Sequence, residues 1–128
     1  MIENQSILHY ADKSILISFI DLCEETEKLL ETVWKSIVVG NIEHGIKDLP
    51  NLFNLIDQGI KAIYDLNEQL NITFRTENFL NKLHEFEKAF MIPDYVLTAD
   101  IIKFELKVEV FKWRKESQKL LKQGWPVH

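Results

Sequence analysis

Three of the chain's four histidines are internal enough to serve a carboxylate-bridged metal centre, in which a Glu-x-x-His pair on each of two helices brings both ligands to the ions across one turn. The residues three before His9, His44 and His84 are Ser6, Asn41 and Asn81, so that chemistry fails on spacing. His44 and Asp48 are four apart, which lets two helical side chains share a divalent ion. They are the chain's weak metal candidates, but no third ligand accompanies them and they fall on the polar side of their segment. Glu24-x-x-Glu27 and Asp65-x-x-Glu68 could hold magnesium between facing carboxylates, the core of a metal- or nucleotide-dependent helical hydrolase. All four lie opposite the apolar stripes of their own segments, which marks them as solvated. Cys23 would need a base and an electropositive setting to act as a nucleophile, yet it falls within an apolar stripe. Asp100 and Glu105 flank the apolar stripe of the last patterned segment, where a carboxylate can be half buried, paired to a lysine or tyrosine, or shifted in pKa. Asp100, three before Lys103, fits an ordinary helix pair. No catalytic residue, metal or cofactor is assigned.

The elements that would position these groups read as helices. From Ser14 to Val39, Ile15, Phe19, Leu22, Leu29, Val33 and Ile37 step by three or four, with Thr26 in one slot. A second stripe, Leu16, Ile20, Cys23, Leu30 and Trp34, makes the apolar arc wide and predicts a central helix with Glu24, Glu27 and Glu31 on its wet face. Gly40 supplies the left-handed residue that ends a helix, and Asn41 suits the cap of the next. That next helix carries Ile42, Ile46, Leu49, Phe53, Ile56, Ile60, Ile63 and Leu70 in 4,3 steps, Asn67 filling one position. Pro50 removes an amide bond to Ile46 and predicts a kink or a break near Leu49. Gly45 and Gly59 flank this stripe and predict close packing against a bulky neighbour such as Trp34. Residues 71–76 read as an extended linker. Thr76 is placed to cap a third helix with Phe79, Leu83, Phe86 and Phe90 on one face, ending before Pro93.

The last segment, 93–123, is the ambiguous one. Pro93 suits a first helical turn and Asp94 its positive end. In helical register Leu97, Ile101, Phe104, Val108 and Phe111 form one stripe, and Leu106, Val110, Trp113 and Leu120 another on nearly the opposite side. Ile102, Phe104, Leu106 and Val108 also alternate with Lys103, Glu105, Lys107 and Glu109, as a half-buried strand would. A strand needs partners and only 71–76 offers one, whereas a helix satisfies its own backbone. The expected fold is therefore all-α: a single domain over 1–128, a four-helix, mostly antiparallel up-down bundle with its second helix kinked at Pro50. The alternative is α+β, with a short strand pair around 71–76 and 102–110.

The same segment carries a family resemblance. Asp94-x-Val96-Leu97-x-Ala99-Asp100-Ile101-Ile102-x-Phe104-Glu105-Leu106, preceded by a segment like 40–70, resembles a signature of small uncharacterised helical-bundle proteins of Gram-positive bacteria, over about residues 40–122. The resemblance implies a helical fold and no named activity.

At 128 residues, 46% hydrophobic and 27% charged, the composition is that of an ordered globular domain. One cysteine forms no intrachain disulfide, and no apolar run reaches the ~18 residues of a membrane span. The expected location is the cytoplasm. Residues 103–122 hold seven basic and three acidic residues on a chain of net charge −5. Such a stripe is more often a solvated face, or a contact with the acidic part of a second copy, than a nucleic-acid site. The function expected is a non-catalytic protein-interaction module, adaptor- or chaperone-like, forming a homodimer. Leu106, Val110, Trp113, Leu120 and Trp125 would meet the protein partner, because the second stripe has no evident place in a single four-helix core. The alternative is the metal- or nucleotide-dependent hydrolase.

Overall fold

The computed structural model describes residues 10–123, and among them every regular element is helical. In chain order these are α1 (Tyr10–Val38), α2 (Ile42–Leu70), α3 (Glu77–Met91), α4 (Tyr95–Ile101), a π-helical turn (Ile102–Leu106) and α5 (Lys107–Gln123). The last three follow one another without a break and act as one long rod, so the described residues form a bundle of four helices. Trp125 and residues 2–9 lie outside the described residues.

α1 is the central helix, as its wide apolar arc predicts. It packs along α2 on one side and α5 on the other, while α3 rests on α4 and the π turn. Leu16, Phe19, Cys23, Leu30 and Val33 are all buried. The turn to α2 is closed by Gly40 at φ 83°, with Gly40 N–H donating to Ile37 O and Asn41 N–H to Ser36 O, the paired bonds of a Schellman ending. Asn41 sits at the next N-cap, but its side chain makes no capping bond; nor does that of Thr76 ahead of α3.

α2 runs unbroken through Pro50, whose exposed ring and lost amide bond one long helix accommodates. Its buried seam is Gly45, Leu49, Leu52, Ile56, Gly59, Ile63, Leu66 and Leu70. This is a sustained 4,3 repeat, turned from the expected stripe so that Ile46 and Phe53 lie at its exposed edge. The glycines therefore sit in the seam. A methyl on Gly45 would stand 3.4 Å from Ser36 Cβ, whereas one on Gly59 would meet nothing within 4 Å. Neither glycine receives Trp34.

Residues 71–76 form no regular element and pair with no strand; the expected extended linker is not extended at its ends, where Asn71 is left-handed at φ 54° and Thr76 lies in the right-handed helical region. Asn67 accepts from Phe74 N–H at 2.8 Å and donates to Phe74 O at 3.0 Å, and Trp113 Nε1 donates to Arg75 O at 3.3 Å. Side chains do for this segment what a sheet would otherwise do. Phe74 is thereby held in the core against Phe19, ring centroids 5.9 Å apart. The strand alternative fails at 102–110 as well, where the backbone is helical throughout. The alternation there is two helical stripes superposed. Ile102, Leu106 and Val110, four apart, are buried; Phe104 and Val108 between them face out.

Candidate functional site

The rod begins at Asp94, whose carboxylate accepts from Leu97 N–H at 3.1 Å. Pro93 therefore precedes the cap rather than entering the first turn. One turn on, Thr98 Oγ1 donates to Asp94 O at 2.7 Å, which lets a buried hydroxyl share the face of Ala99 and Ile101. The π turn follows, closed where Lys107 N–H donates to Ile102 O. A π turn takes up about one more residue than an α turn, so everything after it is rotated against the frame set by α4. That rotation carries the inward face from Ile101 and Ile102 to Leu106, Val110, Trp113, Ser117 and Leu120.

Leu106, Val110, Trp113 and Leu120, expected to meet a partner, are therefore part of the chain's own core. Leu106 is fully buried, and the Trp113 ring packs tilted against Phe79 of α3, centroids 4.9 Å apart. Of the opposite stripe Ile101 is buried, before the π turn, while Leu97, Phe104, Val108 and Phe111 face solvent, Phe104 with 64% of its surface exposed. Spacing alone separates the two stripes. Which of them is inward depends on the extra residue of the π turn, and an even α-helical count conceals it.

The outward stripe is braced on both sides. Toward α1, Lys103 Nζ lies 3.9 Å above the Trp34 ring, Lys107 pairs with Glu31 at 2.8 Å, and Arg114 grips Glu27 through two bonds of 2.5 and 3.2 Å. Toward α3, Glu105 pairs with Lys82 at 2.9 Å. The bond from Lys107 holds the Glu31 carboxyl below its ordinary value, the Glu27 carboxylate pushes Arg114 up, and Glu105 raises Lys82. Glu27 and Glu31 are thus ion-pair partners and not a wet face, and Lys107 and Arg114 of the basic stripe are answered by the acidic side of α1 in the same chain. Glu105 is paired, though by Lys82 of another helix; Asp100 stays exposed.

The groups considered for catalysis stay apart. His44 is exposed and Asp48 half-buried on α2, and among the described residues no group of three or more His, Cys, Asp or Glu side chains could hold a metal. Glu24, Asp65 and Glu68 are exposed. Cys23 is buried, and that burial pushes its thiol up to about 12, far from a reactive thiolate. A shallow groove of about 600 Å³ between α1 and α5 is lined by Glu24, Glu27, Lys28, Glu31, Lys107 and Arg114, largely charges that already neutralise one another. Among the described residues no buried side-chain nitrogen or oxygen lacks a partner, so no orphaned group points to a ligand. No helix among them is long and apolar enough to cross a membrane.

One family model matches, described as Domain of unknown function (DUF8042), over residues 14–116, which takes in most of α1, all of α2 to α4, the π turn and part of α5. No curated protein and no solved structure matches the chain.

Proposed function

The chain belongs to this family of unknown function, and we propose from its geometry that it is a non-catalytic protein-interaction module, an adaptor- or chaperone-like bundle that docks through the outward stripe of its last helix. The observation that carries this reading is Phe104, a phenylalanine 64% exposed in mid-helix, with Leu97, Val108 and Phe111 exposed on the same face. Exposed apolar residues scattered singly are normal on any protein; a stripe of them along one face is what interaction surfaces are made of. The cations around it fit the same use. Lys103 lies 5.9 Å from the Phe104 ring, and Arg114 and Lys115 lie 5.2 and 5.8 Å from that of Phe111. Interfaces are enriched in aromatic residues and arginine.

A photo-crosslinking amino acid in place of Phe104, introduced in the native cell, tests the reading. A discrete protein adduct is expected from position 104 and none from Asp57, an exposed residue on α2. Equal labelling at both positions, or none at 104, overturns it. Magnesium with a panel of nucleotides is expected to leave the melting temperature unchanged; a saturable rise would revive the hydrolase reading.

A further inference from the structure

We propose that the occupant of the outward stripe is a second copy of this chain, docked about a two-fold axis with the two last helices antiparallel. The inference rests on the stripe being the docking surface and adds what it docks to. From the last turn of α4 into α5 this face carries the exposed residues Asp100, Phe104, Val108, Phe111 and Lys115, spaced 4, 4, 3 and 4. In order they are an acid, an aromatic, a β-branched residue, an aromatic and a base. Read backwards the shapes repeat and only the end charges exchange.

A two-fold interface brings one patch against itself, so the patch must complement its own reversed image. An axis passing beside Val108 sets Val108 on the second copy's Val108, Phe104 on the second copy's Phe111, and Asp100 beside the second copy's Lys115. Each unlike contact occurs twice. The parallel arrangement would set Asp100 on Asp100 and Lys115 on Lys115, so the end charges select the antiparallel one. Both charges are exposed, and neither has an ion-pair partner among the described residues. The flanking Lys107–Glu31, Arg114–Glu27 and Lys82–Glu105 pairs are closed within one chain, which keeps them from disturbing the match. Phe104 of one copy and Phe111 of the other would lose their exposed surface together, the central aromatic contact that carries most of the energy in such interfaces.

Sedimentation equilibrium of the full chain over a concentration series is the test. The unaltered chain is expected to dimerise reversibly. Phe104→Glu should retain helicity and raise the dissociation constant at least about tenfold. Asp100→Lys and Lys115→Asp should each weaken the dimer about fivefold, and the double exchange should recover most of the loss because the pair is rebuilt with its signs reversed. The charge exchanges stand as evidence even if Phe104→Glu fails to fold. A chain that stays monomeric, a dimer indifferent to Phe104→Glu, or a double exchange no better than its two singles would each overturn the proposal. A monomeric chain whose position-104 crosslinker still forms a discrete adduct loses the second copy and keeps the docking surface; a monomer without any adduct loses both.

Discussion

Trp113 and Phe104, nine residues apart on the same rod, show how differently two aromatic side chains can be used. Trp113 packs against Phe79 and donates its indole N–H to Arg75 O, joining α5 to α3 and to the linker at 71–76. Trp113→Ala is expected to destabilise the chain by about 3–5 kcal/mol, while Phe104→Ala stays within about 0.5 kcal/mol for the monomer; urea unfolding at high dilution compares them. Asn67 is a polar residue in an apolar register, and its amide satisfies both backbone groups of Phe74. Asn67→Ala leaves those groups unpaired and should cost about 1–3 kcal/mol. At the α1–α5 seam the Lys107 bond depresses the Glu31 carboxyl, whose ordinary value is 4.5. A depressed carboxylate contributes its stability above the unfolded-state pKa and loses it as pH falls through the lower folded-state value. Glu31→Gln should therefore flatten the acid limb of the stability–pH curve; the effect is small because the pair is partly solvated. The indole contact and the Glu31 pair join residues distant in sequence, and the amide clamp reaches seven residues across the end of α2; none has a helical spacing that announces it.

Among the elements, α2 shows how a correct period can be read in the wrong phase. Leu49, Ile56, Ile63 and Leu70 belong to both the expected stripe and the observed seam; the other half of the seam is Gly45, Leu52, Gly59 and Leu66 instead of the bulkier Ile46, Phe53 and Ile60. Hydrophobicity favours the isoleucines, but close approach of α1 at Ser36 and Ile37 favours a glycine at 45. At Gly59 no such approach exists, so Gly59→Ala gains helix propensity at no steric cost and should raise stability by about 0.5–1 kcal/mol, measured by thermal or urea unfolding. The π turn makes the complementary point. Deleting the outward-facing Phe104 should turn it into a regular α-turn and leave the buried face of α5 in register, with the fold retained. Deleting Lys112 in the regular part of α5 rotates everything after it by about 100° and should expose Trp113 at a cost of several kcal/mol. Circular dichroism melts of the two deletions decide this.

At the scale of the whole molecule, the acidic body and the basic last helix meet inside the chain at two points, α1 carboxylates Glu31 and Glu27 against Lys107 and Arg114. Four helices, their order, the end of α1 at Gly40 and the centrality of α1 could all be read from the chain alone, because helical period, capping and arc width are properties of neighbouring residues. A helix at 102–110 was favoured by the chain alone but not fixed by it, because the alternation there suits a strand and 71–76 offered one partner. Which stripe of the last helix faces inward was not legible. The sequence by itself determined that this helix has two apolar faces, an even partition that local spacing cannot rank. The tertiary structure chose between them, because one additional residue in a π turn swings Leu106, Val110 and Trp113 beneath α1 and α3 and leaves Phe104, Val108 and Phe111 outside.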